Sequence, residues 1–71
     1  MQNGAIIHLK TANINLRGMI QENSVVGIQV QVLECYKPEQ YTAFAAGSTV
    51  FVSASTPFSF MVLKDSSDRI S

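Results

Sequence analysis

Asn13-Ile14-Asn15-Leu16-Arg17-Gly18-Met19-Ile20 is the stretch on which the fold turns. Ile14, Leu16 and Ile20 alternate with Asn15, Arg17 and Gln21, and Gly18 falls on the apolar set. Period-two alternation sends successive side chains to opposite faces, so residues 14–21 read as a strand with one buried face. A glycine on the inward side of such a strand marks a sharp bend or a close backbone approach. The polar run Glu22-Asn23-Ser24 reads as a turn. Beyond it Val26, Ile28, Val30 and Val32 alternate with Gly27, Gln29 and Gln31, the strongest strand signal in the chain.

Outward from this pair the pattern repeats. Upstream, residues 5–10 form a first strand, closed by a turn at Thr11-Ala12-Asn13, and residues 1–4 are a disordered tip. Downstream, Glu34 to Gln40 is polar and contains Pro38, so it is a loop. Tyr41 to Ala46 fits either an extension of the sheet or a short helical turn. After Gly47-Ser48, residues 49–54 place Val50, Val52 and Ala54 on one side and Phe51 on the other. Ser55-Thr56-Pro57 is a tight connection, residues 58–63 are the last strand, and residues 64–71 are a frayed polar tail. Five strands with short connections and no helical period predict an all-β fold, a small, strongly bent antiparallel barrel occupying residues 5–64 of a single domain.

A chain of 71 residues buries a small core, and such domains usually lean on disulfides, a structural metal or oligomerisation. Cys35 is the only cysteine and His8 the only histidine, so an internal disulfide is impossible and a zinc site lacks ligands. Oligomerisation is the remaining stabiliser. The same conclusion follows from Ile6, Leu33, Phe51, Met61 and Leu63, apolar residues on the side of their strands that should face outward. Unpaired barrel edges, which invite a strand from another subunit, add a third argument. Hydrophobic residues make up 46% of the chain, yet no run approaches a membrane-spanning length, and residues 1–4 do not resemble a signal peptide. A lone free cysteine suits a reducing cytoplasm.

Catalytic chemistry is hard to assemble from these residues. His8 has no local Cys, Asp or Glu converging on it and reads as a surface or interface histidine. Cys35 sits beside Glu34, which opposes thiolate formation, and reads as an inert thiol at a strand end. Glu22, Glu34, Glu39, Asp65 and Asp68 fall in turns, loops or the tail and read as solvated surface charge. No phosphate-cradling glycine motif is present. No catalytic residue, metal ligand or cofactor is therefore expected. Formal net charge is zero, which argues against long-range attraction to nucleic acid but leaves room for a local binding face. Tyr36, Lys37 and Tyr41 combine aromatic rings with a cation on one loop, as single-strand stacking sites do, although loop tyrosines also serve in ordinary packing.

The stretch from Asn13 to Ile20, its polar turn and the strand from Val25 to Glu34 resemble the first motif of the Sm, LSm and Hfq proteins. Val50 to Leu63, a short strand, a tight turn and a final strand, resembles the second motif. The composition is also similar to that of small phage-borne members. The resemblance implies a five-stranded, strongly bent antiparallel barrel whose fourth strand pairs with the fifth of the next subunit. The result is a homo-oligomeric ring of about five to seven copies. Such rings bind chiefly single-stranded RNA near the pore, which would place Asn23, Ser24, Ser53 and Ser55 at the ligand, with Arg17, Tyr36, Lys37 and Tyr41 as secondary candidates.

This chain departs from the family in several places. Four residues before Ala5 are too few for the family's N-terminal helix. Ser24, Ile28 and Ser53-Ala54 stand where the family's acidic residue, asparagine and basic-glycine pair form its uridine pocket. Two functions are consistent with these features. One is a non-enzymatic ring that binds single-stranded RNA or DNA as a processing factor or chaperone. The alternative is a structural oligomer or protein-interaction module without nucleic-acid binding.

Overall fold

The computed structural model describes residues 3–64. These form one antiparallel sheet of five strands and no helix: β1 (Ile6–Lys10), β2 (Asn15–Ser24), β3 (Gly27–Cys35), β4 (Thr49–Ser53) and β5 (Ser59–Lys64). Strand order across the sheet is β4-β3-β2-β1-β5. The sheet is not closed. β4 pairs only with β3 and β5 only with β1, so both outer strands keep an unpaired edge, as expected of the single chain. The intervening segment, residues 54–58, carries the chain between the two opposite edges.

Alternation decides the core. Ile7 and Leu9 of β1, Leu16 and Ile20 of β2, Ile28, Val30 and Val32 of β3, and Val50 and Val52 of β4 are buried, together with Ala5. The core is entirely aliphatic, with Ile14, Cys35, Phe44 and Phe58 packed at its margin. The opposite face of β1 and β2 carries Ile6, His8, Lys10, Asn15, Arg17 and Met19, all half-buried or exposed.

Gly18 is where β2 bends. Its pairing with β3 slips between Arg17 and Gly18, and a Cβ there would lie 2.7 Å from the Gln31 carbonyl oxygen and also collide with the Val30 side chain. Only glycine lets β3 approach so closely. A second slip follows between Ile20 and Glu22, and bulges of this kind sharpen strand twist.

Several expected boundaries move. Glu22-Asn23-Ser24 is not a turn but the end of β2, where it pairs with Gly27 to Gln29. β1 reaches only Met19 of β2, and past the buried Ile20 the remaining residues of β2 need no buried face and are exposed. The reversal falls instead on Val25 and Val26, and Val26 points to solvent rather than inward. Gly27 permits it, with φ at 151°, a region side chains rarely adopt, and with Phe51 and the Val52 carbonyl oxygen packed where a Cβ would stand. Ala54, expected on the buried side of β4, lies in an exposed turn.

At the ends, Asn3 and Gly4 form a turn rather than a disordered tip, held by the Gly4 N–H donating to the Ile20 carbonyl at 2.6 Å. Lys64 closes β5 instead of opening a tail. The rest of the expected tip (residues 1–2) and tail (residues 65–71) lies outside the described residues. Tyr41 to Ala46 forms neither strand nor helical turn but a connection anchored by the Thr42 N–H donating to the Asn13 carbonyl at 2.8 Å.

β5 is the strand that the single chain leaves uncovered. Phe60 and Val62 stand opposite Leu9 and Ile7, on the core side of the sheet, yet they are 44% and 47% exposed. Met61, opposite His8, is 63% exposed and Leu63 is 48% exposed. Of the outward apolar residues expected, Phe51, Met61 and Leu63 are exposed, while Ile6 and Leu33 are half-buried.

Candidate nucleic-acid interface

The four primary candidates meet at one end of the sheet. Ser24 pairs with Gly27, which pairs with Ser53, so the two serines sit on the same level about 10 Å apart, two spacings of about 4.8 Å. Asn23 stands one residue back, opposite Ile28. The two turns touch, since the Ala54 N–H donates to the Val26 carbonyl at 2.9 Å. Ser55 joins the group through a 2.9 Å hydrogen bond between the Ser53 and Ser55 hydroxyls.

These hydroxyls are partly committed. Ser24 Oγ donates to the Gly27 carbonyl at 3.0 Å, and Ser53 Oγ accepts the Ser55 N–H at 3.3 Å. The tip between them is apolar, with Val25 at 95% and Val26 at 64% exposure. Glu22 is the only charged side chain on the paired strands of this end. The described residues therefore offer hydroxyl and amide contacts here but no cation for a phosphate.

The secondary candidates collect at the other end, separated by the nine-residue length of β3, about 30 Å at 3.3 Å per residue. The Tyr36 N–H donates to the Asn15 carbonyl at 2.8 Å, and its ring meets His8 edge-on with centroids 5.0 Å apart. His8 Nε2 is hydrogen-bonded to Asn15 Oδ1 at 2.5 Å. Arg17 faces Glu34 across the β2–β3 pair, with 3.4 Å between Nη2 and Oε1. Both side chains are substantially exposed, so this ion pair contributes less than about 1 kcal/mol. Lys37 turns the β3–β4 loop with φ at 50°, its carbonyl accepting the Gln40 N–H at 2.9 Å. Tyr41 is half-buried in that loop.

Sequence reasoning missed a half-open cleft of about 240 Å³ between the β1–β2 turn and β4, lined by Thr11, Asn13, Ile14, Phe51, Val52, Ser53 and Thr56. Thr11 Oγ1 shapes its rim by accepting the Asn13 and Ile14 N–H groups at 3.1 and 3.0 Å. The turn at Thr11-Ala12-Asn13 was legible, but no local pattern shows that it faces β4. His8 and Asn15 were also missed as partners, because the cross-strand register that joins them to Tyr36 is not visible in local periodicity.

Cys35 has a structural role: its sulfur accepts the Phe44 N–H at 3.3 Å and donates to the Phe44 carbonyl at 3.5 Å, fastening the β3–β4 loop to the strand end. Among the described residues, no three His, Cys, Asp or Glu side chains are grouped to hold a metal ion, and no helix is long and apolar enough to cross a membrane. No protein-family model, curated protein or solved structure matches the chain.

Proposed function

We propose that this chain is an Sm-like subunit that closes into a homo-oligomeric ring, and that the ring binds single-stranded RNA or DNA without catalysing a reaction. One observation carries the reading. Strand order β4-β3-β2-β1-β5 leaves the fourth and fifth strands as the two free edges, the pair that the family joins between subunits. An exposed strand edge recruits another strand unless it is blocked. β5 carries four exposed apolar residues in a row, Phe60 to Leu63, with Lys64 as its only charge. Pairing β5 of one copy with β4 of the next satisfies both edges and covers this surface, and a constant rotation at each step closes into about five to seven subunits.

Nucleic-acid binding rests on the gathering of Asn23, Ser24, Ser53 and Ser55 at one end of the sheet. In a ring this end recurs once per subunit, and linked weak sites raise the overall avidity. Cys35 remains a thiol in this reading, as in a reducing cytoplasm. Anisotropy titrations with labelled U-rich, A-rich and mixed oligonucleotides at low salt test the binding. Saturable binding supports the reading, and flat traces to high micromolar protein refute it.

The rival reading keeps the oligomer and drops the nucleic acid. It is favoured by the absence of a cation on the paired strands around Ser24 and Ser53. Purified oligomer free of nucleic-acid absorbance, with flat titrations, would establish it.

A further inference from the structure

The outer face of β5, β1 and β2 differs in chemistry from the hairpin end. Register places Lys10 beside Asn15 and Ser59, His8 beside Arg17 and Met61, and Ile6 beside Met19 and Lys64. These residues share the face opposite Ile7, Leu9 and Leu16, which are fully buried. Lys10 and Arg17 lie on this face, and the register shift between Ile6 and Ile7 brings Lys64 to its end beside Ile6, so three of the chain's five Lys and Arg residues gather here. They fall within about 13 Å along the strand direction at 3.3 Å per residue. The paired residues of these three strands place no acid among them, and the nearest across the register is Glu34 of β3, engaged with Arg17.

The same face holds an ordered ring. Tyr36 is fixed by its backbone bond to Asn15 and by the edge of His8, and His8 is in turn held by Asn15. An aromatic ring already held in place loses little conformational freedom when a base stacks on it. Cations beside a fixed ring are the composition that tracks a single-stranded backbone while accepting bases of any sequence.

We infer that the outer face of β5, β1 and β2 is a binding track for single-stranded nucleic acid, with phosphates on Lys10, Arg17 and Lys64 and a base stacked on Tyr36. The inference rests on the proposed nucleic-acid role and adds a surface away from the hairpin end. Glu34 is the restraining element: while it engages Arg17 it competes with phosphate.

Labelled twelve-residue uridine and thymidine oligonucleotides, titrated by anisotropy against the intact oligomer at several salt concentrations, test the track. Neutralising the three cations with K10Q, R17Q and K64Q together is expected to weaken binding at least about tenfold. It should also reduce the salt slope by about 2, since each phosphate contact on a single strand contributes about 0.7. Tyr36→Ala is expected to weaken binding at least about fivefold, and Tyr36→Phe to retain it. Glu34→Gln is expected to tighten binding by up to about fivefold by releasing Arg17. Circular dichroism and light scattering confirm that each variant keeps its fold and assembly, and Glu34→Gln, a gain of affinity, is not mimicked by misfolding. Wild-type binding that survives the triple change within twofold and with the same salt slope overturns the track but leaves the nucleic-acid role standing. Weaker binding by Glu34→Gln overturns it as well. Absence of binding by the wild type removes the track and the role together.

Discussion

Replacing Gly18 with alanine probes the bend that gives the sheet its shape. The added Cβ would stand 2.7 Å from the Gln31 carbonyl oxygen and 3.3 Å from Leu16 Cδ1, and would overlap the Val30 side chain. Val30 is fully buried and Gln31 contributes backbone, so neither withdraws freely. Overpacking of this kind costs about 1–3 kcal/mol. Alanine recovers about 0.5–1 kcal/mol by restricting the unfolded chain. Contacts this short put the cost in the upper half of that range, about 2–3 kcal/mol, so the net expectation is a loss of about 1–2.5 kcal/mol, equivalent to about 4–20 °C in Tm for a domain of this size. Thermal melts followed by far-ultraviolet circular dichroism, at one fixed protein concentration because assembly makes Tm concentration-dependent, measure it. An unchanged or higher Tm would refute the close approach of β2 and β3 at this point.

Three further outcomes follow from the same structure. Val62→Lys puts a charge on the uncovered core side of β5 and is expected to dissociate the assembly, read as a lower mass by light scattering; an unchanged mass would exclude β5 from the contact. Arg17→Met is expected to change chemical-denaturation stability by less than about 1 kcal/mol, because its pairing with Glu34 is solvent-exposed, and a larger loss would mean that this pair is buried in the assembly. Val25→Ser is expected to shift Tm by no more than a few degrees, since the side chain is 95% exposed; a large loss would show that the hairpin tip is covered by another copy.

Period-two alternation made the inward set of β2 legible, together with the inward valines of β4 and the bend at Gly18. It failed where composition and position disagree. Glu22-Asn23-Ser24 has the polarity of a turn, but strand residues that outrun their neighbour lose the need for a buried face, and β1 stops short of them. Val25 and Val26 have strand-forming side chains, yet Gly27 can adopt the positive φ that the reversal requires. Local polarity therefore shifted the hairpin by a few residues.

The hairpin-end candidates were legible only through the family resemblance, and they fall together because β2 and β4 both run antiparallel to β3 and so end at the same side of the sheet. The His8–Asn15–Tyr36 grouping was not, since it joins residues 7 apart across one turn to a third strand's end through register alone. Nor does alternation reveal that β5 is exposed on both faces. Edge position alone does not dictate it, since β4 at the other edge buries Val50 and Val52; the core covers that edge and leaves β5 bare.

Solution mass by light scattering on a sizing column bears most directly on the central claim, that the free edges of β4 and β5 pair between copies. The account predicts a discrete, concentration-stable species of about five to seven times the 7.8 kDa chain mass. A well-behaved monomer with Phe60 to Leu63 left in water would contradict it.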